Sequence, residues 1–199
     1  MIIPLPSAET ASPPRGPWTS LTPEAKCERL LNAAGEVFAR RGLDAPMSEV
    51  AEAAGAGVAS VYRRFASKHE LLAALVVRRM GQIAAAAAAA ETQQGDRWTA
   101  LTAMLRSVVQ GQAADDFLGE VRATVAGHPE VQAATGDATA ALERLLALTR
   151  AEGRLRSDAT TLDLRLLFAA TRAAKRVEPE QWPRMLELLI DALDSRPRD

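Results

Sequence analysis

Nowhere along the chain do Val, Ile and Thr gather into an alternating run bounded by turn residues, and a sheet cannot be laid down without such runs. Helical material stands in their place. Ala, Leu, Arg and Glu dominate and aromatics make up only 4% of the residues; unbranched side chains lose little rotamer freedom in a helix. Gly and Pro cut this material into helix-length pieces. The predicted fold is all-α. With 199 residues and 48% hydrophobic content, the chain can bury a proper core.

The first strong piece is Pro23–Arg41. Thr22 is a suitable N-cap, Pro23 takes the first-turn position and Glu24 complements the helix dipole. Leu30, Ala34, Val37 and Phe38 share one face, and Gly42 ends the helix. Pro46 opens a short second helix running to Ala54, with Val50, Ala51 and Ala54 inward. Gly55-Ala56-Gly57 breaks the pattern, and Val58–Phe65 predicts a third helix. A helix that short is not stable alone, so it must be held by packing through Val61 and Phe65. Ser67 reads as the N-cap of a long fourth helix, with Glu70 completing a capping box. Leu71, Leu72, Leu75, Val76 and Ile83 form its stripe before seven consecutive alanines, 84–90. Further helices are expected at about 96–113, 115–126, 129–152, 158–175 and 179–194, with Gly136 a possible break in the third of these. Residues 1–22 carry five prolines and no hydrophobic period, which reads as a flexible or loosely docked arm.

Two short helices joined by a Gly-containing turn and packed on a longer one describe a helix-turn-helix module, whose second helix fits the major groove of duplex DNA. Composition agrees. Ser60, Tyr62, Arg63, Arg64, Lys68 and His69 can all donate to phosphate or base edges, and no acidic residue occurs between Ala53 and His69. The net charge of the chain is −1, but Thr22–Met80 holds nine Lys or Arg against seven Asp or Glu. The asymmetry is small and points to an anion at this end.

The run Ser48-Glu49-Val50-Ala51-Glu52-Ala53-Ala54-Gly55, followed by Ala56 to Phe65 and then Ser67-Lys68-His69-Glu70-Leu71-Leu72, resembles the DNA-binding signature of TetR-family regulators. The likeness covers residues 25–76 and is carried by Val61-Tyr62, Phe65, Lys68 and Leu71-Leu72. It implies a three-helix DNA-binding domain at 23–66, and a larger helical domain for ligand binding and dimerisation at 67–199. It further implies that Ser60, Tyr62, Arg64 and Lys68 contact the DNA backbone, that Val58, Ala59, Tyr62 and Arg63 lie nearest the bases, and that Ser48 is a further contact. Gly57 and Ala59 stand where many members have Ser and Gly, and Ser60 and Val61 replace the usual Thr and Leu. These departures bear on the base contacts, not on the module.

Beyond residue 90 the likeness thins to Gly153-Arg154-Leu155-Arg156-Ser157-Asp158 and a Trp-initiated last helix, similar to the regulatory domains of one TetR subgroup. That similarity implies a cavity for an apolar small molecule and dimerisation through the last two helices. Trp98, Met104, Phe117, His128 and Phe168 are the bulky or polar residues available to such a cavity, although ordinary core packing explains each of them too. For the dimer interface, Trp182, Met185, Leu186, Leu189 and Leu193 make one apolar stripe, and Leu162, Leu166, Ala169 and Ala173 a second. Core packing within one subunit accounts for these almost as well.

The function expected is therefore a sequence-specific DNA-binding transcriptional regulator, a homodimeric repressor released from a palindromic operator by a small molecule. Two other readings are an all-helical adaptor that binds only protein and a redox sensor using Cys27, the single cysteine. No metal-ligand spacing, Gly-rich phosphate loop or nucleophile elbow is present, so neither an enzyme nor a resident cofactor or metal is expected. The proline-broken start lacks a basic n-region, and the longest apolar run, Ile83–Ala90, falls short of the ~20 residues of a membrane span. A cytoplasmic protein is expected.

Overall fold

A computed structural model describes residues 16–110 and 118–196. Nine α-helices appear among them: α1 (Pro23–Arg41), α2 (Met47–Ala54), α3 (Val58–Arg64), α4 (Lys68–Thr92), α5 (Arg97–Gln110), α6 (Leu118–Thr124), α7 (Pro129–Ala151), α8 (Thr161–Val177) and α9 (Trp182–Asp191). There is no strand among the described residues, only an isolated antiparallel bridge between Leu155 and Asp194. The all-α expectation holds. Gly136 does not split α7. Most of the proline-bearing arm lies outside the described residues, but its last part is docked. Trp18–Ser20 forms a 3₁₀ turn, and Arg29 on α1 donates to the Gly16 carbonyl at 2.7 Å.

The chain divides into two compact units. The first comprises Met1–Arg79 and Gln112–Ala133, the second Met80–Gly111 and Ala134–Asp199. In the first, α1 packs on α2 and α2 on α3. The α1 cap is as expected, with the Ala25 amide donating to Thr22 Oγ1 at 3.2 Å. Buried in this unit are Leu30, Val37 and Phe38 of α1, Val50 and Ala54 of α2, Val61 of α3, and Leu71, Leu72, Leu75 and Val76 of α4. Half of the predicted capping box of α4 is present, as Glu70 N–H donates to Ser67 Oγ at 3.2 Å.

The second unit buries Ile83, Ala87 and Ala90 of α4 with Trp98, Leu101, Met104 and Leu105 of α5. Leu142, Leu145 and Leu146 of α7, Leu164 and Leu167 of α8, and Leu186 and Ile190 of α9 complete that core. Polar ties fix the helix ends. Arg97 donates to the carbonyls of Glu91 and Gln93 at 2.6 and 2.9 Å, closing the C-terminus of α4. Lys175 on α8 donates to the Val109 carbonyl at 2.5 Å and sits 4.7 Å from the Trp182 ring centroid. Thr160 and Asp163 form a complete capping box at the start of α8. By length and composition α4 could also cross a membrane, since alanine counts as apolar. Here it is a core helix instead, with Leu71, Leu75, Ile83 and Ala87 all buried.

Gly55 ends α2 in the left-handed region, at φ 64 and ψ 33, and its amide satisfies carbonyls of the last turn. A Cβ there would stand 3.2 Å from the Arg29 guanidinium. Gly55→Ala is expected to cost about 1–2 kcal/mol, read as a fall of several degrees in Tm. An unchanged Tm would mean the α2 cap contributes nothing.

Arg106 on α5 and Glu187 on α9 make a two-pronged pair, both bonds 2.8 Å. The guanidinium hydrogen bond, then its charge, hold the Glu187 carboxyl below its usual range. A carboxyl depressed in the folded state adds stability above its ordinary range, and that stability is lost as pH falls through the folded value. Glu187→Gln should therefore lower Tm near neutrality and flatten the acid limb of Tm against pH below about 4.5. Parallel wild-type and variant curves in acid would show that the pair does not drive the acid loss.

Candidate nucleic-acid interface

Helix α3 is seven residues long, starts at Gly57 without a side-chain cap, and is held through Val61 and Phe65, which are 0% and 4% exposed. These are the two anchors its length demands. With them turned inward, the 3.6-residue period sets Ala59 and Arg63 opposite and Tyr62 on the flank; these and Val58, at the open N-terminal end of the anchor face, are all exposed. Tyr62 is 49% exposed, so it is not a core residue. Arg64 is also exposed, its guanidinium 5.1 Å from the Phe65 ring centroid.

Ser60 is partly buried and accepts a bond from Arg63 Nη2 at 2.7 Å. Arg63 is thus folded back along its own helix. Ser48 is exposed in the first turn of α2. Lys68 opens α4, with Nζ 5.5 Å from the Phe38 ring centroid, so its ammonium stands where α1 and α4 meet. The first unit therefore carries the whole set of sequence-predicted DNA contacts on α2, α3 and the first residue of α4.

Sequence reasoning missed one organiser of this unit. Arg78 donates from Nη1 to Asn32 Oδ1 at 2.8 Å and from Nη2 to the Leu31 carbonyl at 3.3 Å, and Glu28 lies 3.4 Å away. These bonds tie α4 to α1. Read from the sequence, Arg78 is one more solvated charge, because partners 46 to 50 residues away leave no local signal. Arg41 likewise pairs with Glu49 at 3.4 Å.

The residues considered for a ligand cavity are dispersed. Trp98 and Met104 are buried in the core of the second unit, with Phe168 partly buried against it. Arg154 stands 5.2 Å from the Trp98 ring centroid. Phe117 lies outside the described residues. His128 belongs to the first unit, with Nε2 3.3 Å from Glu70 Oε2. The second unit does hold a half-open groove of about 340 Å³ between α8 and α9, lined by Leu166, Leu167, Ala170, Leu189 and Leu193 with Arg156 and Asp158. None of the cavity candidates lines it.

The residues considered for a dimer interface separate into two sets. Leu162, Leu166 and Met185 are exposed, at 54%, 58% and 40%. Leu186 and Leu193 are buried in the core of their own unit, and Trp182 and Leu189 are partly buried. Ala169 and Ala173 of the second stripe are exposed as well, and Val177 and Leu188 are exposed apolar residues the sequence reading did not name. Cys27 is partly buried on α1.

Residues 30–75 match the family model of bacterial regulatory proteins, tetR family. No curated protein matches the chain at a significant level. Among solved structures, a TetR regulatory protein from Mycobacterium vanbaalenii is 28% identical with a TM-score of 0.60, covering 83% of this chain and 93% of its own. LfrR from Mycobacterium smegmatis, solved with proflavine, is 23% identical with a TM-score of 0.68, covering 85% and 94%. A TetR regulator from Streptomyces coelicolor is 23% identical with a TM-score of 0.65, covering 84% and 98%. With the signature in α2 to α4 and the helix-turn-helix it builds, residues 30–75 carry the DNA-binding domain of bacterial regulatory proteins of the tetR family, and the fold is that of TetR structures over most of the chain.

Proposed function

We propose that the chain is a homodimeric transcriptional repressor that reads a dyad-symmetric operator through α3 and releases it when a small apolar ligand binds. One observation carries the DNA half. Helix α3 is hung from the core by Val61 and Phe65 and turns Val58, Ala59, Tyr62 and Arg63 outward, within a stretch free of acidic side chains. Such a helix offers the major groove both apolar contact and donors. Lys68, Arg64, Tyr62, Ser60 and Ser48 flank it as phosphate contacts, which position the protein without reading sequence.

Dimerisation is supported by the second unit. On α8, Leu162, Leu166, Ala169, Ala173 and Val177 recur at helical spacing along one exposed face. Helix α9 packs on α8 and adds exposed Met185 and Leu188. An apolar stripe that long is ordinarily covered by a partner, and a second copy presenting the same stripe covers it under a two-fold axis. Ligand control is supported by the likeness to LfrR, whose structure holds proflavine. The division of this chain into a helix-turn-helix unit and a separate helical unit also fits such control.

Lys68→Ala should weaken binding about equally on operator and unrelated duplex, lowering the slope of log K against log salt by roughly one per subunit. Arg63→Ala should cost about 1–3 kcal/mol on the operator and relax preference at one position per half-site, with little loss on random DNA. Fluorescence anisotropy over a salt series reads both. An unchanged salt slope in the Lys68 variant removes its phosphate role, and a uniform loss in the Arg63 variant moves Arg63 to the backbone contacts.

Leu166→Glu should turn the dimer into a monomer at micromolar concentration, measured by sedimentation, and abolish protection of a two-fold site. A variant that remains dimeric would place the interface elsewhere.

A further inference from the structure

The chain has two histidines, and the fold brings both to one place. His69 lies in the first turn of α4 and His128 in the turn before α7, yet their ring centroids are 6.0 Å apart, tilted by 43°. His128 Nε2 faces Glu70 Oε2 at 3.3 Å, its side chain only 14% exposed against 47% for Glu70. Its Nδ1 is enclosed with no protein partner. Glu70 is the first acidic residue after the acid-free stretch that contains α3. It follows Lys68 by two positions.

We propose that His69, Glu70 and His128 form a proton-responsive cluster at the foot of the DNA-reading unit, through which DNA binding takes up protons. The inference rests on the DNA-binding reading above. Imidazole is the side chain that changes charge between about pH 5 and 8. With both rings neutral, the trio presents the Glu70 carboxylate close to the Lys68 phosphate contact and repels the duplex. With both rings protonated, the carboxylate is matched at His128 and a positive charge remains at His69, so the trio changes from −1 to +1. A polyanion favours the second state, and linkage makes the effect mutual: DNA draws protons in, and acid tightens DNA binding.

Other charged side chains stand on the same and adjoining elements. On α4, Lys68 lies over Phe38. Arg122 on α6 has a partner, and Glu130, in the first turn of α7, is exposed. A proton added at Nδ1 of His128 finds no acceptor in the present packing. Burying it unpaired works against the change, while Glu70 on the opposite nitrogen and the polyanion work for it. Protonation therefore also asks the Ala126–Pro129 turn to shift until that nitrogen meets water.

The test measures Kd of the full-length protein by fluorescence anisotropy at about pH 6 and about pH 8 and fixed ionic strength, pH values that span the imidazole range. The probes are a duplex recovered by selection from a random pool and an unselected duplex of equal length. Wild type should bind roughly tenfold to a hundredfold more tightly at the lower pH, as average uptake of about half to one proton over two pH units implies. The His69→Gln/His128→Gln double variant should lose most of that difference. Glu70→Gln should bind more tightly than wild type at the higher pH and show a shallower response. Thermal melts at both pH values establish which variants are folded; if the double variant is not, His69→Gln and Glu70→Gln decide the matter. Equal pH responses in wild type and the folded variants overturn the proposal and leave the DNA reading intact. Failure of wild type to bind either duplex at both pH values overturns that reading and the proposal with it.

Discussion

A helix of seven residues does not persist in water by itself, since the cost of nucleating it exceeds what so few hydrogen bonds return. Helix α3 therefore exists only because Val61 and Phe65 are taken into the interior of its unit. Everything that faces outward from α3 is fixed by those two residues facing inward. The rest of the first unit serves the same end. Helix α1 supplies a long buried face, the Gly55 turn sets the path from α2 to α3, and Arg78 ties α4 to α1. Loosening this interior would blur every contact on the outer face at once, without altering a single residue on it.

Much of this was legible in the sequence because it is written locally. Thr22, Pro23 and Gly42 bound α1, and the same residues bound it in the structure. Ala54 and Gly55 close α2, and Ser67 caps α4. These signals act within four residues and need no knowledge of the fold. Ala59 and Arg63 on α3 were readable for a related reason: once Val61 and Phe65 are assigned inward, helical period sets these two opposite.

What was not legible depends on partners far along the chain. Arg78 has the composition of a solvated residue until Asn32 is brought beside it. His128 looks as suited to a cavity as to a surface until Glu70 and His69 approach. On α8 and α9 the difficulty is different. Leu164, Leu167 and Thr171 face the core while Leu162, Leu166 and Ala169 face out, so α8 is apolar on two sides and periodicity gives two stripes without ranking them. Leu186 and Leu193 were grouped with Met185 on that ground, and only the packing separates them.

The bond from Arg63 to Ser60 has a consequence for discrimination. In the free protein Arg63 already has an acceptor at good distance, so extending into a groove is an exchange rather than a gain. A guanine edge, with two acceptors in one plane, offers the guanidinium more than a single hydroxyl does. Under the proposed reading, other base edges would offer it no more than it has, and on them the side chain would stay folded along its helix. If Arg63 reads a base as proposed, Ser60 would act as an internal competitor that sets the threshold that base must exceed. Ser60→Ala would lower that threshold, giving a protein that chooses among sequences less well, while also removing a hydroxyl proposed to contact phosphate.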